Sequence, residues 1–238
     1  MRYLGRLVCY LAIFWFTFSV GSALWLRLVP VTVTPLKVIR LFQNFSGEGF
    51  SVKSRWCSLE RIDPLMAQAV VATEDNNFLT HGGFDLEAIR RAIDERQRGR
   101  RVRGASTISQ QTAKNVWCTP DQTWFRKGWE AWYTLLIEIL WSKHRIMEVY
   151  LNVIETHNNV YGVAATARTF YEKPAERLNA HEASMIATVL PSPRRMNLAR
   201  PSPYMVNRAA QVRRLMNRLG PVDFDNPPPK PAENLRRR

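Results

Sequence analysis

The stretch Thr73-Glu74-Asp75-Asn76-Asn77-Phe78-Leu79-Thr80-His81-Gly82-Gly83-Phe84-Asp85 follows an apolar run at residues 67–72 and places two carboxylates and a histidine at the end of a predicted helix. Burial beside the apolar run would raise the pKa of an acid toward the range that a general base needs. Acidic residues near helix ends are common surface features, so a solvated helix end is the favoured interpretation of this segment by itself. Taken alone, the stretch is therefore either the edge of an active site or an exposed helix end.

Helix-capping signals on both sides of this stretch divide the chain into helical segments. Strand signals are few, and no internal repeat is visible, so a mainly α fold is expected. The predicted helices and their starting signals are 65–73 after Asp63-Pro64, 86–97 after Asp85, a helix reaching Asn115 after Ser106 or Thr107, a long helix through Lys143 after Thr119-Pro120-Asp121-Gln122, 183–190 after Asn179 and Glu182, and a last helix ending at Gly220 after Ser202-Pro203.

The amino-terminal segment predicts a membrane anchor. Residues 7–26 contain no charged side chain, and at about 1.5 Å per helical residue they cover about the 30 Å of a bilayer core. A cleaved signal peptide is the alternative, because Gly21-Ser22-Ala23 resembles a cleavage site, but the apolar stretch exceeds the usual length of such a peptide. We expect residues 1–6 in the cytoplasm, the span at 7–26, and the remaining domain outside.

The segments that flank the domain carry weaker signals. Residues 27–51 read as a membrane-proximal linker that is β-prone at 29–38, where Pro30 and Pro35 argue against a central strand. The tail at 221–238 contains Pro227-Pro228-Pro229 and ends in three arginines, which predicts disorder. Cys57 and Cys118 are too far apart for a zinc signature, and they leave open a disulfide or, as the favoured alternative, two buried free thiols.

The net charge of +14 calls for an anionic partner. Nucleic acid would satisfy this charge, but an exported, anchored domain favours anionic lipid head groups or a phosphorylated substrate at the bilayer. The alternative for the densest group is a solvated, mobile loop. This group consists of Arg96, Arg98, Arg100, Arg101 and Arg103.

A second polar block, Gly104-Ala105-Ser106-Thr107-Ile108-Ser109-Gln110-Gln111-Thr112-Ala113-Lys114-Asn115, has the pattern of an anion site. On a helix, Thr107, Gln111 and Lys114 share one face, which groups a hydroxyl, an amide and an ammonium. The helix amino terminus beside them offers unpaired backbone N–H groups. The block therefore suits a phosphate or diphosphate, although a hydrophilic surface helix with an ordinary cap has the same composition.

A third block, Arg126-Lys127-Gly128-Trp129-Glu130, places one carboxylate between two cations at helical spacing. Such a glutamate should stay ionised, so it is better suited to hold a cation than to act as a base. Ordinary helix-face ion pairs are the alternative. Aromatic side chains surround the block and fit either a membrane interface or a core. They are Trp117, Trp124, Phe125, Trp129 and Trp132.

A fourth block, Ser142-Lys143-His144-Arg145-Ile146-Met147-Glu148-Val149-Tyr150-Leu151-Asn152, predicts a helix whose apolar residues point inward. In their order, the four blocks resemble the peptidoglycan glycosyltransferase family (glycosyltransferase family 51) in its monofunctional, biosynthetic form. The matched patterns are E-D-x-x-F-x-x-H-x-G from Glu74, G-x-S-T-I-x-Q-Q-x-x-K-N from Gly104, R-K-x-x-E from Arg126 and E-x-Y-L-N from Glu148. The resemblance covers about residues 52–220.

The resemblance implies a lysozyme-like, mainly α fold and lipid II as the substrate, polymerised with inversion into β-1,4-linked glycan as undecaprenyl diphosphate leaves. It implies a bacterial inner-membrane protein whose domain is periplasmic and contacts lipid II, the nascent glycan strand and cell-division or wall-synthesis proteins, with no nucleic acid. By similarity, Glu74 would be the general base and Glu130 would position the leaving group, directly or through a divalent cation, Mg²⁺ or Mn²⁺. The substrate-binding residues would be Asp75, His81, Ser106, Thr107, Gln111, Lys114, Asn115, Arg126 and Lys127.

Two departures from the family pattern bear on the site. A glycine-containing turn usually follows the fourth block, but this chain has Glu155-Thr156-His157-Asn158-Asn159, in which asparagine tolerates positive φ. Ala105 stands where a second glycine is common.

Two other functions remain as alternatives to synthesis. A lysozyme-like hydrolase or lytic transglycosylase also uses carboxylates on a helical fold, but a neutral glycan needs no cationic clamp. A catalytically silent scaffold that binds lipid II would not need the carboxylates at Glu74 and Glu130.

Overall fold

A computed structural model of the protein describes residues 2–44, 52–99, 104–121 and 123–228. These ranges contain mainly helix, together with two short 3₁₀ turns, Leu59–Arg61 and Ala175–Arg177, and three short strands, β1 (Lys53–Ser54), β2 (Glu155–His157) and β3 (Val160–Tyr161). The helices are α1 (Arg2–Leu28), α2 (Pro35–Asn44), α3 (Pro64–Glu74), α4 (Leu86–Gln97), α5 (Ile108–Trp117), α6 (Trp124–Leu140), α7 (Lys143–Val153), α8 (Val163–Tyr171), α9 (Ala180–Val189) and α10 (Pro203–Leu219).

Most of the predicted helix starts are confirmed by their capping side chains. Asp63 caps α3 and Asp85 caps α4, each by accepting a hydrogen bond from a backbone N–H of the first turn. Asn179 and Glu182 form the predicted reciprocal cap of α9, and Ser202 caps α10. Each cap satisfies N–H groups that lack a partner within the helix, so these local signals fix where the helices begin.

The start of α5 is set by Thr107 and not by Ser106. The Thr107 hydroxyl accepts from the backbone N–H of Gln110 at 3.1 Å, and the Gln110 side chain accepts from the backbone N–H of Thr107 at 3.0 Å. The helix continues to Trp117, two residues past the predicted end at Asn115. Boundary differences of this size are usual where a helix end has no strong stop signal.

The prediction of one long helix from the Thr119 segment through Lys143 is wrong. The helix α6 begins later, where Thr123 caps it, and ends at Leu140. A new helix, α7, starts after a break at Trp141 and Ser142, because the Ser142 hydroxyl accepts from the backbone N–H of Arg145 at 3.1 Å. Gln122 of the predicted capping box lies outside the described residues.

The prediction of a β-prone segment at residues 29–38 is also wrong, because α2 begins inside it at Pro35. Thr34 accepts hydrogen bonds from the backbone N–H groups of Lys37 and Val38. A proline is favourable at the first helical position, where no N–H is needed. Thr34 and Pro35 therefore start a helix. The two prolines of the segment were interpreted from the sequence only as residues that disfavour a central strand.

The core lies between α3, α7 and α9. Met66 and Val70 of α3, Ile146 and Tyr150 of α7, and Ile186 of α9 are fully buried. α10 packs on α3 and α9, and α5 packs on α6 and α7. A three-stranded sheet in the order β1-β3-β2 closes one side, with β1 parallel and β2 antiparallel to β3. This packing brings the carboxyl end of α3 beside α5.

The helix α1 is long and apolar enough over Tyr3–Leu28 to cross a membrane, which fits the predicted anchor. Its outer part is exposed, whereas Ser19 and Ala23 are buried against the domain. The Trp141 indole Nε1 donates to the Ala23 carbonyl at 2.8 Å, and the ring of Trp15 lies 5.1 Å from the ring of Trp132. The apolar helix is thus packed directly on α6.

Some predictions concern residues that the structure does not describe. Arg96 and Arg98 are exposed near the end of α4, but Arg100, Arg101 and Arg103 of the arginine group lie outside the described residues. The same holds for positions 229–238 of the predicted tail.

Candidate active site

Glu74 is the last residue of α3, and it lines a cleft of about 360 Å³ between α3 and α4 that we name the Glu74 cleft. Its carboxylate is half-buried, and its Oε2 accepts a hydrogen bond from Gln111 Nε2 at 3.0 Å. Desolvation raises the pKa of Glu74, while the Gln111 hydrogen bond and the charges of Arg208 and Lys114 oppose the rise. A carboxyl group with a raised pKa, accessible from a cleft, is suited to take a proton near neutral pH.

The Asp75 carboxylate pairs with the His81 ring, although Asp75 also lines the Glu74 cleft. The two Asp75 oxygens lie 3.0 and 2.9 Å from His81 Nε2, and Asp75 Oδ2 also accepts from the backbone N–H of Ile108 at 2.9 Å. The other ring nitrogen of His81 accepts from the backbone N–H of Gly83. Every polar atom of the pair is therefore used to fix the loop after Glu74 to the start of α5.

Thr107 is committed to the same loop. Its hydroxyl donates to the Gly83 carbonyl at 2.6 Å, and the side chain is buried. Gly83 has φ of +94°, and a Cβ at this position would lie 2.9 Å from the Cγ of Glu138. The backbone must pass this close to α6, so glycine is required where the first motif ends.

Gln111, Lys114 and Asn115 of α5 face a second cleft of about 680 Å³, here called the cationic cleft. Arg126 and Lys127 of α6 line the same cleft, which brings together three cations from two of the predicted blocks. Lys114 is exposed to the cleft, yet desolvation by the surrounding protein lowers its pKa, and the nearby charge of Glu130 opposes this. Ser106, in contrast, is exposed at the rim of the Glu74 cleft.

Glu130 lies beneath the cations and is 2% exposed. Its Oε2 accepts from Arg126 Nη1 at 2.6 Å, and its Oε1 accepts from Lys127 Nζ. Both oxygens of this buried carboxylate are thus paired with cations, which is the arrangement that the helical spacing predicted. Its visible role is to hold Arg126 and Lys127 at the wall of the cleft.

These residues do not suit a protein-held divalent cation. Mg²⁺ and Mn²⁺ prefer several oxygen ligands, but both Glu130 oxygens already accept from cationic side chains. Within the described ranges, no group of three His, Cys, Asp or Glu side chains could hold a metal ion. A divalent cation at this cleft would therefore need oxygen ligands from a bound diphosphate.

The cationic cleft also has walls that the sequence did not suggest. Leu36 and Arg40 of α2 line it, as does Glu155 of β2. Burial raises the pKa of Glu155, while Arg40 and Arg194 oppose the rise. Arg208 of α10 acts on Glu74 from a distant part of the chain. No local pattern could reveal these residues, because only the fold brings their elements together.

Residues of the fourth block support the site through hydrogen bonds to Cys57 and Gln111. Asn152 Oδ1 accepts from the backbone N–H of Cys57 at 2.8 Å, and its Nδ2 donates to the Cys57 carbonyl at 2.7 Å. Tyr150 is fully buried and donates to Gln111. In the turn that departs from the family pattern, Asn159 has φ of +58°, so asparagine supplies the positive φ there as expected.

The aromatic residues divide into three groups. Trp117 stacks on Tyr133 with ring centroids 4.4 Å apart and belongs to the core. Trp129 and Trp132 pack against Trp15 of α1. Trp124 and Phe125 are exposed beside the cationic cleft, as a membrane interface would require.

Cys57 and Cys118 are both free thiols, as the favoured sequence alternative has it, but only Cys118 is buried and Cys57 is partly exposed. Cys118 is buried at the cationic cleft, and burial raises its pKa to about 11. A thiol in this state is a poor nucleophile.

Comparison with known proteins agrees with this geometry. The transglycosylase family model matches residues 40–217 of the chain. A biosynthetic peptidoglycan transglycosylase of Bacteroides thetaiotaomicron is 47% identical over 208 residues, covering 87% of this chain and 84% of the relative. The protein of that name from Bdellovibrio bacteriovorus is 48% identical over 208 residues, with 87% and 82% covered. A third, from Pseudomonas entomophila, is 44% identical over 211 residues, with 88% and 89% covered.

The family match spans α3 to α9 and most of α10, and it includes every site residue that the sequence predicted. The domain is mainly helical and lysozyme-like, with an accessible, half-buried carboxylate at the end of α3 and a cationic cleft beside α5 and α6. The chain therefore belongs to the transglycosylase family and is a glycosyltransferase.

Proposed function

We propose that this protein polymerises lipid II into β-1,4-linked glycan strands for peptidoglycan synthesis, with inversion and release of undecaprenyl diphosphate. The observation that carries the proposal is the hydrogen bond of Gln111 Nε2 to Glu74 Oε2, since it joins the base to the cationic cleft. The reaction requires that the acceptor oxygen lose a proton and that the diphosphate leave. Glu74 would meet the first requirement and the cationic cleft the second.

In this mechanism Glu74 takes the proton from the 4-hydroxyl of the acceptor sugar as that oxygen attacks the anomeric carbon of the growing chain. The new C–O bond forms while the bond to the diphosphate breaks, and attack opposite the leaving group inverts the configuration. Lys114, Arg126 and Lys127 line the cleft where negative charge would grow on the diphosphate. Preorganised cations in a partly desolvated site stabilise such a transition state most effectively.

Glu130 positions the clamp in this proposal. Without it, Arg126 and Lys127 would lose the carboxylate that fixes them. Ser106 and Asn115 lie at the rims of the two clefts and are proposed to contact the substrate. Asp75, His81 and Thr107 are proposed to act through the loop that they fix.

The membrane arrangement belongs to the same proposal. The helix α1 would anchor the protein in the bacterial inner membrane with the domain on the periplasmic side, where lipid-linked substrates and partner proteins of wall synthesis are met. Exposed Trp124 and Phe125 beside the cationic cleft would lie near the bilayer surface, where the prenyl chain of the leaving group remains.

The test is polymerisation of lipid II by the full-length protein and by Glu74→Gln. We expect glycan polymer from the wild type and a rate lower by about a hundredfold or more in the variant, because a general base is lost. Glu176→Gln is the matched control, since Glu176 is exposed and lies in neither cleft. Near-normal polymerisation by Glu74→Gln would contradict the assignment.

A parallel incubation with cell-wall sacculi separates synthesis from cleavage. Soluble muropeptides from sacculi, without polymer from lipid II, would show a glycan-cleaving enzyme instead. Repeating the polymerisation with a chelator tests the divalent cation: a loss of rate would indicate a cation held by the diphosphate, because both Glu130 oxygens already accept from cationic side chains.

A further inference from the structure

Three side chains from three helices form a hydrogen-bonded chain that ends on Glu74. Tyr150 of α7 is fully buried, and its Oη donates to Gln111 Oε1 at 3.2 Å. Gln111 of α5 in turn donates from Nε2 to Glu74 Oε2 at 3.0 Å. Among the residues that the structure describes, Gln111 is the side chain that hydrogen-bonds directly to the Glu74 carboxylate.

The chemistry of the groups fixes the direction of this chain. The amide oxygen of glutamine only accepts, so the neutral phenol must donate to it. The amide nitrogen only donates, and it then faces the carboxylate. The two ends of an amide have almost the same shape, so packing alone does not decide which end faces Glu74. The ionised carboxylate, which only accepts, favours the nitrogen end, and the Tyr150 hydroxyl reinforces this orientation by donating to the oxygen end.

We propose that Tyr150 is a positioning residue for Glu74, because its hydroxyl holds the Gln111 amide in the orientation that stabilises the ionised base. The inference rests on the proposed role of Glu74 in proton transfer. Tyr150 itself touches no reacting atom, and it acts only through Gln111.

Other charges around Glu74 would remain when the Tyr150 hydroxyl is removed. Arg208 of α10 and Lys114 of α5 favour the ionised carboxylate, whereas Asp75, the adjacent residue, disfavours it. Burial raises the pKa of Tyr150 well above the ordinary value for tyrosine, so the phenol stays a neutral donor at every pH at which Glu74 titrates. The effect of Tyr150 on the base is therefore that of its hydrogen bond.

The direction of the effect follows from this geometry. Without the hydroxyl, the Gln111 amide loses the donor that holds its oxygen end, so the hydrogen bond that it donates to the carboxylate is less firmly held. The charged form of Glu74 is then less stabilised, and its pKa rises further. Turnover needs the ionised base, so the acid limb of the pH profile moves to higher pH. We expect a displacement of about one pH unit, and recovery toward the wild-type rate above it.

The experiment is the pH profile of kcat/KM for lipid II with the full-length protein, Tyr150→Phe and Tyr133→Phe. Tyr133 is also buried, and its hydroxyl bonds Ser22 of α1, so its variant loses a buried hydroxyl away from Glu74. The acid limb should move in Tyr150→Phe and stay in place in Tyr133→Phe. A uniform fall in rate at every pH, with an unmoved limb in Tyr150→Phe, would overturn the inference.

The variant Gln111→Met gives a second, independent readout. It removes the amide, so it should displace the acid limb at least as far as Tyr150→Phe does. Adding Tyr150→Phe to Gln111→Met should then displace the limb no further, because the phenol acts only through the amide. Additive displacements would contradict a shared pathway.

Carbon-13 NMR titration of the labelled Glu74 carboxyl, assigned by its loss in Glu74→Gln, measures the same displacement without turnover. If the wild type formed no polymer, the proposed function would fail, and the titration would still decide the positioning role. An equal Glu74 pKa in wild type and Tyr150→Phe would overturn it.

Discussion

Gly162 shows how closely the backbone is packed behind the site. Its φ is +79°, and a Cβ built at this position would lie 2.7 Å from the carbonyl oxygen of Asn152. Asn152 is the residue whose side chain pairs with both backbone groups of Cys57. A side chain at Gly162 would therefore push apart α7 and the strand β3, and only glycine fits.

We predict that Gly162→Ala destabilises the fold by about 2 to 4 kcal/mol, from positive φ and from the clash with a backbone atom that cannot move freely. Thermal unfolding in detergent should show a midpoint lower by about 5 to 15 °C. Gly128→Ala is the matched control, because Gly128 lies inside α6 with nothing within 4 Å of a built Cβ. That variant should be neutral or slightly more stable, and an equal loss in both variants would refute the packing argument.

Among single residues of the candidate site, the sequence predicted contacts correctly only where a side chain has one kind of partner available. Glu130 between Arg126 and Lys127 is fixed by helical spacing, so its ion pairs followed from sequence. Thr107 was expected to line the diphosphate site, yet its hydroxyl is spent on Gly83. A hydroxyl can cap, bond a loop or bind a ligand, and sequence spacing does not choose among these uses.

The helix α2 is the element whose role differs most from its sequence description. The sequence predicted that these residues form a linker, but in the structure the helix contributes Leu36 and Arg40 to the wall of the cationic cleft. Lys37 attaches it to the domain, since its Nζ donates to Ser54 Oγ at 2.7 Å and to the Thr32 carbonyl at 3.1 Å. Lys37 is 6% exposed, so this attachment buries an amine.

Burial lowers the pKa of Lys37 to about 8. The unfolded chain keeps this amine protonated to about pH 10.4, so between about pH 8 and pH 10 the unfolded state binds more protons than the folded state. The contribution of Lys37 to stability therefore rises with pH across that window. The sign is opposite to that of a lysine held in an ion pair.

We predict that the difference in unfolding temperature between wild type and Lys37→Met changes in favour of the wild type from pH 7 to pH 10, by the equivalent of about 1 to 3 kcal/mol. Thermal unfolding in detergent at several pH values measures it. Lys53→Met, at an exposed position of β1, is the control, and its unfolding temperature should differ from that of the wild type by the same amount at every pH. A constant difference for Lys37→Met would show that the buried amine keeps its proton.

Helices with strong local signals could be predicted from sequence, and those set by tertiary contacts could not. Asp63-Pro64 and the Asn179–Glu182 pair define α3 and α9 by themselves. The break between α6 and α7 combines a local signal, the Ser142 cap of α7, with a distant contact, the hydrogen bond that the Trp141 indole donates to the Ala23 carbonyl of α1. The local cap was overlooked, and nothing near Trp141 in the sequence indicates its partner in α1.

Over the whole molecule, the connection between α1 and the domain is a specific joint. Arg145 Nη2 donates to the Leu26 carbonyl at 2.8 Å and to the Val29 carbonyl, and its Nη1 pairs with Glu148. The guanidinium also lies 5.2 Å from the ring of Trp56. A cation at the carboxyl end of a helix satisfies carbonyls that have no partner within it.

We predict that Arg145→Ala loosens this joint and lowers stability by about 2 to 4 kcal/mol, because it also leaves the nearly buried Glu148 carboxylate without its cation. Limited trypsin digestion should cleave after Arg27, an exposed residue near the end of α1, several times faster than in the wild type. Arg168→Ala, at an exposed position of α8, is the control. Unchanged cleavage in Arg145→Ala would show that other contacts hold α1.

The same joint has a mechanical consequence. Trp141 and Arg145 flank the junction between α6, which carries Glu130, and α7, which carries Tyr150. A membrane span tilts when it meets a bilayer of different thickness, and in the proposed membrane arrangement α1 is hydrogen-bonded directly to that junction. We expect the whole domain to lean with the span, so bilayer thickness would set the height and inclination at which both clefts meet the lipid surface.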